Sequence, residues 1–214
     1  MKLTVFGVTG GTGAEVVRQA LDAGHQVHGV ARRPEAVLGP AGTQLDRLTV
    51  SAGDVLDPAS LDGVFTGADA VLSALGGRPG EFSAVYSRGT AAIVDAMRAA
   101  GVRRFVGIGA APAVPRGEKT VLERLVIHPM LERAYGELYN DMRSMERLLA
   151  ASELEWTLFH PPGLLDREGT GRHRIAVGHP IRRAWFLSRA DLAAAMLTAV
   201  VDHTLIRRAV RIAA

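Results

Sequence analysis

A chain of 214 residues, 48 % apolar and 22 % charged, is long enough to bury one large core and reads as soluble and globular. The absence of cysteine excludes disulfides, thiol catalysis and zinc–thiolate sites, and a net charge of +3 gives no reason to expect a nucleic-acid partner. No apolar run reaches the ~18 residues of a membrane span, and no signal-peptide core precedes the first motif, so the expected setting is the cytoplasm.

The apolar run Leu3–Phe6 predicts a strand, and it passes straight into Gly7-Val8-Thr9-Gly10-Gly11-Thr12-Gly13. A helix follows over Ala14 to Gly24, with Val16, Val17, Ala20 and Leu21 on one side and Glu15, Arg18, Gln19 and Asp22 on the other. A strand, a glycine-rich turn and a helix in this order form a cradle for a dinucleotide pyrophosphate. Gly7 allows the turn, Gly10 lets backbone approach a phosphate, and Gly13 allows close helix–sheet packing. Thr9, Gly11 and Thr12 complete the binding turn, with Thr12 able to offer a hydroxyl.

Further strands are predicted at Val27–Val30, Leu48–Ser51, Ala70–Ser73, Phe105–Ile108 and Trp156–Phe159, with helices between them. The clearest helices are Phe82 to Ala100, Leu138 to Ser152 and one opened by the capping sequence Ser188-Arg189-Ala190-Asp191. This alternation predicts a doubly wound α/β fold, a parallel sheet of Rossmann type in one domain over residues 1–214. Two long connections, residues 111–134 and 161–187, follow the carboxyl ends of strands, where ligands of open α/β sheets bind. They are read as the walls of a cleft for a small-molecule substrate.

The second strand ends in Arg32-Arg33, where an NAD-binding chain usually has a carboxylate for the adenosine ribose. Two guanidinium groups suit a 2′-phosphate instead, so the expected cofactor is NADP(H). The alternative is a solvated pair before a helix starting at Pro34. After the third strand, Asp54 is placed to accept from an adenine amino group and Val55 to donate its N–H. Asp57, ahead of Pro58, fits a helix N-cap. Ala74-Leu75-Gly76-Gly77-Arg78 follows the fourth strand with small residues that let a nucleotide lie on backbone, and Arg78 is a candidate pyrophosphate ligand. Gly109 and Ala110 line the end of the fifth strand.

With these residues assembled, the chain resembles the atypical short-chain dehydrogenase/reductases, in particular the NAD(P)H-binding subgroup of NmrA-like proteins and of the flavin reductase–biliverdin reductase B type. The likeness is carried by the glycine turn, Gly53-Asp54-Val55, Asp69-Ala70-Val71-Leu72, Gly101-Val102-Arg103-Arg104-Phe105-Val106, Trp156-Thr157-Leu158-Phe159-His160-Pro161-Pro162-Gly163 and Ser188-Arg189-Ala190-Asp191-Leu192-Ala193. It implies that Pro161, Pro162 and Gly163 lie against the nicotinamide. It also implies a serine after the fifth strand and a Tyr-x-x-x-Lys on the next helix, and neither is present. The strand ends Gly109-Ala110-Ala111, and the tyrosine and lysine positions fall on Leu138 and Met142. A displaced Tyr139-x-x-x-Arg143 sits one residue later, turned by about 100°, so Tyr139 is expected at the solvent side or the cleft edge. Tyr139 and His160, the latter beside Pro161, are the two candidates for catalytic contact. Gly163 stands where the biliverdin reductase B type has histidine.

The seven histidines show no metal-ligand spacing, so no metal is expected. Arg182-Arg183 and Arg207-Arg208 could be anion sites, but such pairs are usually solvated faces. The leading expectation is an NADPH-dependent reductase of flavins, quinones or similar acceptors, acting as monomer or homodimer without membrane contact. The alternatives are a non-catalytic NADP-binding regulator of the NmrA-like kind and a tailoring enzyme of secondary metabolism.

Overall fold

The first strand, β1 (Lys2–Phe6), is buried along almost its whole length because helices cover both faces of the sheet at that point. It belongs to a computed structural model that describes residues 1–37, 45–76, 84–109 and 128–214. Around β1 assemble α1 (Gly11–Asp22), β2 (Gln26–Ala31), β3 (Leu48–Ala52), β4 (Ala70–Ser73), α2 (Ser87–Ala99), β5 (Arg104–Ile108), α3 (His128–Ala151) and β6 (Glu155–His160). The chain continues through β7 (Gly163–Leu165), β8 (Arg174–Val177), β9 (Phe186–Ser188), α4 (Arg189–Val201) and β10 (Arg208–Ala213).

The main sheet runs β3-β2-β1-β4-β5-β6-β10-β8 and is parallel except for β8, which lies antiparallel to β10 at one edge. A small parallel pair, β7-β9, stands apart. The expected doubly wound Rossmann-type sheet is therefore present, with the fully parallel reading corrected at the β8 edge. β1 lies between β2 and β4, so the order of strands reverses there, and a crevice opens beyond their carboxyl ends.

α1 and α4 cover one face, packing Val16, Val17 and Ala20 with Leu192, Met196 and Ala199. α2 and α3 cover the other, where Phe6, Phe105, Ile93, Met97, Met145 and Leu149 are buried. Truncating a fully enclosed ring such as Phe105 to alanine costs about 3–5 kcal/mol.

Three expectations change. Among the described residues, β2–β3 and β3–β4 are joined by short 3₁₀ turns (Pro34–Ala36, Leu45–Arg47, Pro58–Leu61) and not by α-helices. After Pro58, Gly63 and Gly67 take positive φ and keep the chain turning. α1 begins at Gly11, three residues before the predicted Ala14, so the glycines form its first turn. α3 begins at His128, well before Leu138, and is broken at Tyr135 (φ −138°, ψ 23°).

Candidate functional site

The turn after β1 has two positions, Gly7 and Gly13, where the backbone leaves no room for a side chain. Gly7 has φ +78°, and a Cβ there would lie 2.4 Å from the carbonyl oxygen of Ala74 at the end of β4. A Cβ on Gly13 would lie 2.1 Å from the Gly7 oxygen, so α1 starts hard against the turn it follows. Gly10 is the N-cap, donates to the Gly7 oxygen at 2.9 Å, and supplies no capping side chain. No acidic residue stands in the first turn of α1, which leaves its N–H groups and positive dipole end for an external anion. Thr9, Gly10 and Gly11 are exposed, whereas Thr12 is buried with the inward face of the helix.

One cation that sequence reading passed over joins this turn. The side chain of Arg189, first residue of α4, fills the space that a Gly11 side chain would take, its Nε 2.7 Å from that Cβ position. Its Nε lies 3.2 Å from Oδ1 of Asp166, and its Nη1 is buried with no hydrogen-bond partner among the described residues. A cleft of about 560 Å³ opens here between α1 and the start of α4, bordered by Gly11, Glu15, Arg18, Asp166 and Arg189. The capping sequence that announced α4 carried the signal, because an arginine directly after an N-cap serine projects from a helix start. Ser188 does cap α4, accepting from the Asp191 N–H at 2.9 Å.

Across the crevice, Arg32 and Arg33 are exposed just past β2, and neither forms an ion pair among the described residues. Asp54 accepts from the Leu56 N–H at 2.9 Å, and its own N–H donates to Ser60 Oγ at 2.8 Å, so a local turn fixes the carboxylate. Asp57 stands at the N-cap of the Pro58–Leu61 turn without a side-chain cap bond. Val55 is buried and packs against α2, where a Cβ on Gly89 would meet its Cγ2 at 2.7 Å. Ala74 and Leu75 follow β4 beside Gly7, and Gly76 faces open space. Arg78 and Ala110 lie outside the described residues, as does most of the first long connection.

On the other side of the crevice, the ring of His160 closes the end of β6. It is 2 % exposed, and its Nε2 lies 2.7 Å from Oε1 of Glu146 on α3. The ring fills the space beside Gly109, where a Cβ would come within 2.7 Å of its Cδ2. That contact leaves no room for a side chain at Gly109 unless the His160 ring moves; Ala110 and Ala111, which follow it, lie outside the described residues. Pro161 is buried and Gly163 exposed, so the Pro161–Gly163 turn emerges directly from the His160 anchor.

Tyr139 is not at a cleft edge. It is 8 % exposed, its ring centroid lies 6.3 Å from that of Tyr135, and burial pushes its phenol above the ordinary value, with Tyr135 and Tyr86 adding to the shift. Tyr139 and Met142 share the buried face of α3, because residues three apart lie on one side of a helix. Arg143 turns outward and donates to Asn140 Oδ1 at 2.8 Å. Glu146, next on the inner edge of the helix, was passed over because its partner is distant in sequence. Among the described residues no group of three potential metal ligands forms, and no helix is long and apolar enough to cross a membrane.

Known proteins resemble this chain in sequence and in fold. The photosystem II assembly factor Ycf39 of Cyanophora paradoxa is 33 % identical over 111 residues, 50 % of this chain and 33 % of that protein. The chain thus spans about a third of that relative's length. The crystal structure of an exported-protein candidate from Burkholderia pseudomallei superposes with a TM-score of 0.81 at 30 % identity, covering 100 % of both chains. A wide-type short-chain dehydrogenase/reductase from Veillonella parvula, solved in complex with NADP, shares the fold with a TM-score of 0.82 at 19 % identity, over 100 % of this chain and 94 % of that one. The likeness to atypical short-chain dehydrogenase/reductases is thereby met. The sequence profile for NAD(P)H binding matches residues 7–203, from the first glycine of the turn to just beyond α4, and the chain belongs to the NAD(P)H-binding family.

Proposed function

We propose that this chain is an NADPH-dependent reductase that passes hydride to a small planar or carbonyl acceptor, with flavins and quinones the best suited. The observation that carries the reading is the cradle itself: Gly7 and Gly13 with no room for a Cβ, an uncapped α1, and a buried guanidinium nitrogen on Arg189 without a partner. These are the donors and the space that a pyrophosphate needs. Arg32 and Arg33, exposed and unpaired among the described residues, would take the 2′-phosphate and favour NADP(H) over NAD(H). The adenine would lie over Asp54 and Val55, and the Pro161–Gly163 turn would form a wall for the nicotinamide.

When bound, the cofactor supplies hydride from the nicotinamide C4, and the protein supplies orientation. His160 is the positioning residue for that wall: its Nε2 is committed to Glu146, and its buried ring holds the β6 end against Gly109. Tyr139 is enclosed in the α2–α3 core, which is a poor place for an acid that must reach substrate. A conjugated acceptor fits this site because water can protonate the reduced product. Segment 161–187 would form one side of the acceptor cleft.

The rival reading, a non-catalytic NADP-binding regulator of the NmrA-like kind, is favoured by the same enclosed Tyr139 and hydroxyl-free Gly109. The two separate on turnover. Pure protein supplied with NADPH and flavin mononucleotide or simple quinones should lose the near-ultraviolet absorbance of NADPH. Tight NADPH binding with no oxidation across flavins, quinones and carbonyls would replace the reductase by the regulator. A tailoring enzyme would show as turnover confined to a few carbonyl substrates.

A further inference from the structure

Trp185 and Phe186 are adjacent in the chain and 54 % and 55 % exposed, while the next residue, Leu187, is fully buried. Two neighbouring aromatic rings left open to water form an unusual surface in a chain that is only 5 % aromatic. Their position is fixed at both ends. Phe186 pairs in register with Gly163 across β7-β9, and its ring atoms lie 3.1–3.2 Å from where a Gly163 Cβ would stand. The exposed ring therefore rests on the last residue of the Pro161–Gly163 turn. On the other side, the chain passes through buried Leu187 and Ser188 to Arg189, whose side chain reaches Gly11 in the first turn of α1. The aromatic pair is thus strung between the proposed nicotinamide wall and the phosphate cradle.

The charges along this stretch are mostly positive, although Asp166, Glu168 and Asp191 flank it and Asp166 pairs with Arg189. Residues 169–190 contain Arg172, Arg174, Arg182, Arg183 and Arg189 and no aspartate or glutamate, in a chain whose net charge is only +3. Arg182 and Arg183, separated from the aromatic pair by Ala184, are exposed and have no ion-pair partner among the described residues. Exposed aromatic rings with two exposed arginines two to four residues earlier in the chain favour a flat π-system bearing negative charge.

We propose that Trp185 and Phe186 form the shelf on which the acceptor's conjugated ring lies, and that Arg182 and Arg183 select acceptors carrying a phosphate, sulfonate or carboxylate. The inference rests on the reductase reading for its place beside the nicotinamide wall. It goes beyond that reading in assigning the acceptor's binding residues and its charge.

The test uses flavin mononucleotide and riboflavin, which share one ring system and differ by a phosphate, and a naphthoquinone with and without a sulfonate. Binding to the full chain is followed by calorimetry and, for the flavins, by quenching of their own emission. The charged member of each pair should bind about tenfold more tightly at low salt, with the gap narrowing as salt screens it. Trp185→Ala and Phe186→Ala should each weaken binding about tenfold, Trp185→Tyr should retain most of it, and NADPH affinity should not change. Arg182→Ala/Arg183→Ala should remove the charge preference and leave riboflavin binding as it was. Flavin quenched on the shelf without NADPH oxidation would uphold the shelf and remove the reductase reading. NADPH oxidation with an acceptor KM unchanged in Trp185→Ala and Phe186→Ala would do the reverse. Failure of every charged planar probe to bind would overturn the shelf. So would a wild-type dimer that Trp185→Ala dissociates in sedimentation, because the patch would then belong to a second copy.

Discussion

The Nε2 of His160 and the Oε1 of Glu146 meet at 2.7 Å across the gap between β6 and α3, with the histidine ring 2 % exposed. A buried ring nitrogen with a single carboxylate partner depends on that partner. Glu146→Ala should destabilise the fold by about 1–3 kcal/mol, the cost of leaving one buried polar group unsatisfied, read as a lowered Tm. Glu146→Gln, which keeps a hydrogen-bonding oxygen, should recover most of the loss. Equal Tm values for wild type and Glu146→Ala would show that the pair holds nothing in place.

Cofactor choice rests on Arg32 and Arg33. Calorimetric titration should show NADPH binding more tightly than NADH by about 1–3 kcal/mol, the range of hydrogen bonds to charged groups. Arg32→Ala should erase most of that difference and leave NADH affinity nearly unchanged. Equal wild-type affinities for the two cofactors would remove the 2′-phosphate role.

Tyr139 sits in the core with its phenol pushed up by burial, away from the range of a working acid–base group. Tyr139→Phe should keep any reductase turnover within about tenfold, short of the ~10²–10⁴ lost with a general acid. A thousandfold fall in kcat with an unchanged Tm would return Tyr139 to the chemistry.

Asp191 gives a pH dependence with a definite sign. Burial raises its pKa, but hydrogen bonds from the Thr170 and Gly171 N–H groups and the Ser188 and Thr170 hydroxyls outweigh it, and the net shift is downward. A carboxylate with a lowered folded pKa adds stability above its unfolded pKa of about 3.9, and loses it as pH falls through the folded value. Asp191→Ala should cost about 3 kcal/mol at neutral pH, the upper end for hydrogen bonds to a charged group. Denaturant unfolding at successively lower pH should show that gap narrowing below pH ~4. A gap that widens on acidification would contradict the assignment.

The β1–glycine–α1 unit was legible because strand, turn and helix follow one another within a few residues, and each glycine answers a local steric demand. The six long-predicted strands recur as β1 to β6 within two residues at each end. β8 and β10 were not legible. β10 is buried between β6 and β8, so Val210, Arg211, Ile212 and Ala213 are all enclosed and show no alternation. β8 is an edge strand of four residues with an arginine and exposed apolar groups, which reads as loop. For the site, the glycine and arginine residues were legible by position along the chain. Glu146 and Arg189 were not, because their partners, His160 and Gly11, become neighbours only through packing.

The closeness of Gly109 to the His160 ring ties two positions of the sequence into one choice. Adding even a methyl group at residue 109 needs space that the imidazole already occupies. A hydroxyl at the end of β5 and an imidazole at the end of β6 are therefore alternative occupants of one volume, and the two positions should change together. The simplest engineering consequence is that Gly109→Ser alone should be badly tolerated, while Gly109→Ser combined with His160→Ala should fold and place an alcohol at the crevice floor. Placing an alcohol at residue 109 of this scaffold starts with the removal of a histidine.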